Sequence, residues 1–144
     1  MVVMGARSPE PVRVLVVDDE PDFATALVNR LGRRGFAAAA AFSGREALAL
    51  LQQSPFDVAV LDLRMPDMDG LATLREARKI DPHVQIVVLT GHGTVASGIE
   101  GMQLGAADFL QKPVAIDVLC TAVEAAAERA RASREHDART GGEQ

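Results

Sequence analysis

The sequence predicts an α/β fold, a doubly wound parallel sheet of five strands with helices on both faces. Three observations point to it. Five short apolar runs alternate with five segments of helical period, the best of the runs are apolar at consecutive positions, and several stop abruptly at polar residues. Consecutive apolar positions mark strands covered on both sides, and right-handed crossovers then allow little besides a parallel sheet between two helical layers.

Residues 1–10, interrupted by Gly5 and Pro9, read as a flexible leader. Val12 to Val17 is the first strand and ends in Asp18-Asp19-Glu20. Pro21 suits the first turn of a helix in which Phe23, Ala24, Leu27, Val28 and Leu31 recur at three- and four-residue spacing until Gly35. Phe36 to Phe42 is nearly all alanine, a poor strand composition, yet the alternating order puts a strand there. Ser43 and Glu46 form a capping box for a second helix, with Ala47, Leu48 and Leu51 inward and an end near Gln53. The central strand, from Val58, runs into Asp62, and Pro66 and the Asp/Gly cluster after it turn the chain. Asp69 can cap a third helix to about Lys79, and Asp81-Pro82 follows it.

Val84 to Leu89 is the fourth strand and leads into Thr90-Gly91-His92-Gly93. A fourth helix over Val95 to Leu104 carries Gly98 and Gly101, each costing about 1 kcal/mol relative to alanine, and is expected to be the least rigid. Ala106 to Leu110 is the fifth strand, followed at once by Lys112-Pro113. Leu119, Val123 and Ala126 face inward on the last helix, which starts after Ala115 without a capping side chain. The domain proper thus covers 11–127, and 128–144 is expected to be a solvated helix extension, with an Arg131/Glu135 pair, passing into a linker or free tail.

Composition narrows the function classes. A single cysteine, Cys120, excludes an internal disulfide and reads as a small buried hydrophobe. No apolar run approaches the roughly 18 residues of a membrane span, and no signal-peptide core is visible, so a cytoplasmic location is expected. A net charge of -5 without a basic cluster or aromatic platform argues against direct nucleic-acid binding by this segment. His83, His92 and His136 lack ligand spacing and are expected at the surface, with Met65 and Met68 as loop and packing residues.

In a parallel sheet of this kind, sites form at the carboxyl ends of the strands. Asp18, Asp19, Asp62, Thr90 and Lys112 all fall there. Three converging carboxylates repel one another by about 4 kcal/mol per pair at 4 Å and an effective dielectric of 20, so positive charge is required. Lys112 supplies some, and an all-oxygen ligand set suits Mg2+, with Mn2+ the second candidate. A carboxylate nucleophile, a hard cation, a lysine and a threonine hydroxyl together suit phosphoryl transfer.

Four segments, VRVLVVDDE, VLDLRMPDMDG, LTGHG and GAADFLQKP, occur in an order that resembles the receiver domain of two-component response regulators. The resemblance implies a flavodoxin-like (βα)5 sheet of order 2-1-3-4-5. It implies that Asp62 accepts a phosphoryl group from a sensor histidine kinase or histidine phosphotransfer protein. Asp19, Asp62 and the backbone carbonyl of Arg64 would ligate the metal, with Asp18 acting through a water. Lys112 would pair with Asp62, Thr90 and Phe109 would form the switch, and the Lys112-Pro113 peptide would be cis. Phosphorylation would rearrange or dimerise the face formed by helix four, strand five and helix five to control an output domain or partner. Arg64 and His92 stand at the two variable positions flanking the pocket, where the family tunes dephosphorylation.

Two rivals are weaker. A haloacid-dehalogenase-type phosphohydrolase needs a second aspartate two residues after the nucleophile, where this chain has Arg64. A flavin-binding module needs a phosphate-cradling loop after strand one, where Asp18-Asp19-Glu20 would repel the phosphate.

Overall fold

The structure is a computed structural model and describes residues 10–65, 67–91 and 95–141. The leader before Glu10 and the expectations placed on His92 and on the last three residues lie outside the described residues. Ten elements alternate: β1 (Arg13–Val17), α1 (Pro21–Arg33), β2 (Ala37–Ala41), α2 (Gly44–Gln53), β3 (Val58–Leu61), α3 (Gly70–Ile80), β4 (Gln85–Thr90), α4 (Val95–Gln103), β5 (Asp108–Gln111) and α5 (Ile116–Gly141). The strands form one sheet in the order β2-β1-β3-β4-β5, and every pairing is parallel.

Alternation along each strand divides the core in two. Val14, Val16, Val58, Val60, Val87 and Leu89 pack beneath α1 and α5, against Leu27, Leu31, Leu119 and Val123. Leu15, Val17, Ala59, Leu61, Ile86 and Val88 point the other way, toward Ala47, Leu51, Leu74 and Ala77 of α2 and α3. β3 is therefore buried throughout, and β1 and β4 at every position but their first, the pattern expected of a parallel sheet between two layers.

The all-alanine segment is a strand because β1 makes it one. It occupies the edge of the sheet, where it pairs in register from Arg13↔Ala37 to Val17↔Ala41 and buries little side chain. The fifth strand begins later than the apolar pattern indicates, because the Ala106 N–H still bonds the Gly101 carbonyl at the end of α4. The Leu104 N–H also bonds back to Glu100, so the end of α4 at Gln103 differs from the expected one by a frayed residue.

Caps form largely as the side chains dictate. Ser43 Oγ accepts from Glu46 N at 3.1 Å, while the Glu46 carboxylate returns to the N–H of Phe42, one residue before the usual partner. Asp69 Oδ1 accepts from Ala72 N at 2.8 Å.

The largest departure is α5. Its 26 residues span about 39 Å, and the second half is docked along the amino-terminal edge of the sheet. Arg134 reaches Asp81 at 2.6 Å, Asp57 at 3.2 Å and the Phe56 carbonyl at 2.9 Å. Arg131 pairs with Asp57 at 3.4 Å in place of the expected Glu135, which instead faces Arg139. His83, expected at the surface, is half-buried between Ser133 Oγ at 2.7 Å and Asp137 Oδ2 at 2.8 Å. The extension is less solvated than its alternation of alanine and charge suggests, since its cations serve a buried carboxylate, Asp57, at the foot of β3.

Candidate functional site

The sheet delivers Asp18, Asp62, Thr90 and Lys112 to one rim by continuing its backbone ladder into the loops. Asp62 N–H bonds the Val17 carbonyl at 3.0 Å, Asp18 N–H the Ala41 carbonyl at 3.1 Å and Lys112 N–H the Thr90 carbonyl at 3.0 Å. These bonds fix the direction in which each side chain leaves the sheet. The Lys112-Pro113 peptide is cis.

Asp62 is 3% exposed, so its carboxylate depends on protein partners. Thr90 Oγ donates to Asp62 Oδ1 at 2.7 Å, the Arg64 N–H donates to the same oxygen at 3.2 Å, and Lys112 Nζ lies 3.5 Å from Oδ2. Carboxylate oxygens of Asp18, Asp19 and Asp62 all lie within 4.8 Å of one another. Asp18 is buried and accepts from the Glu20 N–H, whereas Asp19 is half-exposed at the opening of the cup.

Lys112 sits closer to Asp18 than to the expected Asp62, at 2.6 Å from Oδ2. Burial raises the Asp18 carboxyl above its ordinary value, with the charge of Asp62 adding to the rise and Lys112 opposing it. For Lys112 burial works against the charge, but the hydrogen bond to Asp18 and the carboxylates of Asp18, Asp62 and Glu20 outweigh it and raise its affinity for the proton. The cup is thus a buried excess of negative charge held by one ammonium among the described residues. Hard oxygen ligands at this separation, with one of them open to solvent, fit a small divalent cation.

Phe109 is not part of the cup. Its ring is half-buried over Gly98 of α4, where an added Cβ would come to 3.4 Å of the ring carbons. The ring thus packs directly against α4 at Gly98, at the near limit of ordinary van der Waals contact for an added methyl. Arg64 is exposed beside the cup, its backbone N–H is turned to Asp62, and nothing acidic stands at the position a haloacid dehalogenase would require.

Sequence reasoning missed two participants. Phe23, read simply as an inward-facing helix residue, places its ring centroid 4.0 Å from Lys112 Nζ, and Glu20 stands 3.6 Å from the same nitrogen. The available signal was position: the first turn of α1 directs its side chains back over the loop that carries the aspartates.

The model of the response regulator receiver domain matches residues 14–124. Transcriptional regulatory protein GlrR of Escherichia coli is 36% identical over 122 residues, which make up 85% of this chain and 28% of that protein. The chain therefore spans little more than a quarter of that relative. A receiver domain crystal structure from Clostridium thermocellum superposes with a TM-score of 0.79 at 34% identity, covering 83% of this chain and 97% of that one. A response regulator from Burkholderia pseudomallei, crystallised with a phosphorylated aspartic acid, a calcium ion and citrate, gives 0.75 at 30% identity, covering 85% and 72%.

Proposed function

Since this chain belongs to the response regulator receiver family, we propose that Asp62 is its phosphoacceptor and that the surrounding cup is the machinery of transfer. One Asp62 carboxylate oxygen attacks the phosphorus of a phosphohistidine. The O–P bond of an acyl phosphate forms, the N–P bond breaks, and the departing imidazole takes up a proton. The observation that carries this is the convergence on one buried carboxylate of the Thr90 hydroxyl and the Lys112 ammonium, beside two further aspartates. Lys112 neutralises the transferring oxygens, Thr90 donates to one of them, and Asp18 keeps Lys112 in place. Asp19, Asp62 and the Arg64 backbone carbonyl would hold Mg2+ or Mn2+, with Asp18 acting through a water; the ion would supply charge neutralisation to the phosphoryl group. The only chemistry assigned to the chain is its own phosphorylation and dephosphorylation, the latter tuned by Arg64 at the mouth.

The donor is a sensor histidine kinase or histidine phosphotransfer protein in the cytoplasm. No described helix is long and apolar enough to cross a membrane. The receiver unit is 11–127, followed by the segment 128–144. Thr90 and Phe109 transmit the new charge to the face made by α4, β5 and α5, which rearranges or forms a homodimer and so controls an output domain or partner. The Burkholderia relative's phosphorylated aspartic acid and bound cation support this chemistry.

Incubation with acetyl phosphate and Mg2+ followed by intact mass measurement tests the assignment. The protein is expected to gain a single acid-labile phosphoryl group and Asp62→Asn none; equal uptake by Asp62→Asn would remove Asp62 from its role.

A further inference from the structure

We infer that Phe23 is a positioning residue for phosphoryl transfer, its ring face holding the Lys112 ammonium where incoming phosphoryl oxygens meet it. The inference rests on the phosphoacceptor reading above. Lys112 Nζ lies 4.0 Å from the ring centroid, within the range at which a cation is attracted to the negative face of an aromatic ring. The same nitrogen is 2.6 Å from Asp18, 3.5 Å from Asp62 and 3.6 Å from Glu20. It is therefore enclosed by three carboxylates and one ring, and the side chain is only 17% exposed.

The choice of an aromatic ring has a chemical consequence. A fourth carboxylate could also restrain the lysine, but it would compete with the phosphoryl oxygens for the ammonium and deepen the repulsion among Asp18, Asp19 and Asp62. Phe23 attracts the cation with no net charge and no lone pair, so the N–H donors stay available. The ring is itself steady: it is half-buried and packs against the core beneath α1 and α5. The start of α1 aims it, because helical side chains in the first turn lean back over the preceding loop, here Asp18 to Glu20. An ammonium held this way needs little reorganisation when charge develops beside it.

Two measurements on the full chain test this. Lys79 and Lys112 are its lysines, and Lys79 is well exposed, so selective lysine labelling yields a site signal and an internal reference. Without metal or phosphodonor, the Lys112 Hε resonances are expected upfield of those of Lys79 through the ring current and to lose that shift in Phe23→Leu. Coincident lysine signals in the parent would overturn the inference. Phosphoryl uptake from acetyl phosphate with Mg2+ is expected to slow about tenfold in Phe23→Leu and to return close to the parent rate in Phe23→Trp, which keeps an aromatic face. Unchanged uptake in Phe23→Leu, or a Phe23→Trp variant as slow as Phe23→Leu, overturns it, the latter by showing that only packing was lost. A parent that takes up no phosphoryl group defeats the phosphoacceptor reading itself, whereas a competent parent indifferent to Phe23→Leu defeats only the role of Phe23.

Discussion

Gly70 shows how closely the backbone is drawn around Asp62. A Cβ at this position would meet the Cα of Leu63 and come within 2.5 Å of the Asp62 carbonyl oxygen, backbone atoms that cannot rotate away. Gly70→Ala is therefore expected to cost about 2 kcal/mol in denaturant unfolding and to slow phosphoryl uptake, because the strain falls on the residue carrying the acceptor. Asp67, three residues earlier, works at longer range. Its carboxylate accepts from the backbone N–H groups of Gly44 at 3.3 Å and Arg45 at 3.2 Å, at the positive end of α2. Slight burial opposes ionisation there, but the backbone donors prevail and lower the pKa below 3.8. The sign follows: the stabilisation is present above the ordinary carboxylate value and is lost as pH falls through the lowered one. Asp67→Asn is expected to cost about 0.5 kcal/mol at neutral pH, and the gap to the parent should close below about pH 4 in urea melts.

Among the elements, α5 has two distinct halves. The first packs on the sheet through Leu119, Val123, Ala126 and Ala127, while the second is held by Arg131, Ser133, Arg134 and Asp137 against Asp57, Asp81 and His83. Arg134 is the hub, since it joins two carboxylates and a carbonyl. Arg134→Ala is expected to lower stability by about 1 to 2 kcal/mol, discounted for the partial exposure of these groups, and to speed amide exchange over residues 130–140. Any faster exchange in residues 12–18 and 58–62 should be no larger than the global loss of stability, and phosphoryl uptake should stay at the parent level. The opposite end of the switch face is tied differently, by Phe109 over Gly98. A phosphoryl-dependent change in amide exchange is accordingly expected in α4 and β5; identical exchange with and without a phosphoryl mimic would remove them as the moving element.

For the molecule as a whole, the acidic cup is a local liability that cation binding relieves. A cation that binds only the folded chain stabilises it by about 2.7 kcal/mol at one hundred times its dissociation constant. Thermal melts in Mg2+ are expected to shift upward relative to melts in chelator, Mn2+ should act likewise, and Asp19→Asn should abolish most of the shift. A melting temperature indifferent to both cations would argue against a metal role for Asp18, Asp19 and Asp62.

Patterning alone was sufficient for a parallel sheet between helical layers and for placing Asp18, Asp19, Asp62, Thr90 and Lys112 at the carboxyl ends of its strands, whereas the order of the strands came with the family resemblance. A buried parallel strand leaves a run of apolar residues and must end where its polar neighbours regain solvent, so both facts are local in the chain. Folding in three dimensions was needed for relations between residues distant in sequence and ambiguous in type. The alanine run is a strand because β1 supplies its partners, and Arg134 is a clamp because Asp57 is buried 77 residues away. Lys112 meets Asp18 and Phe23 across the domain, a pairing no spacing encodes, because it depends on where two loops and a helix start converge.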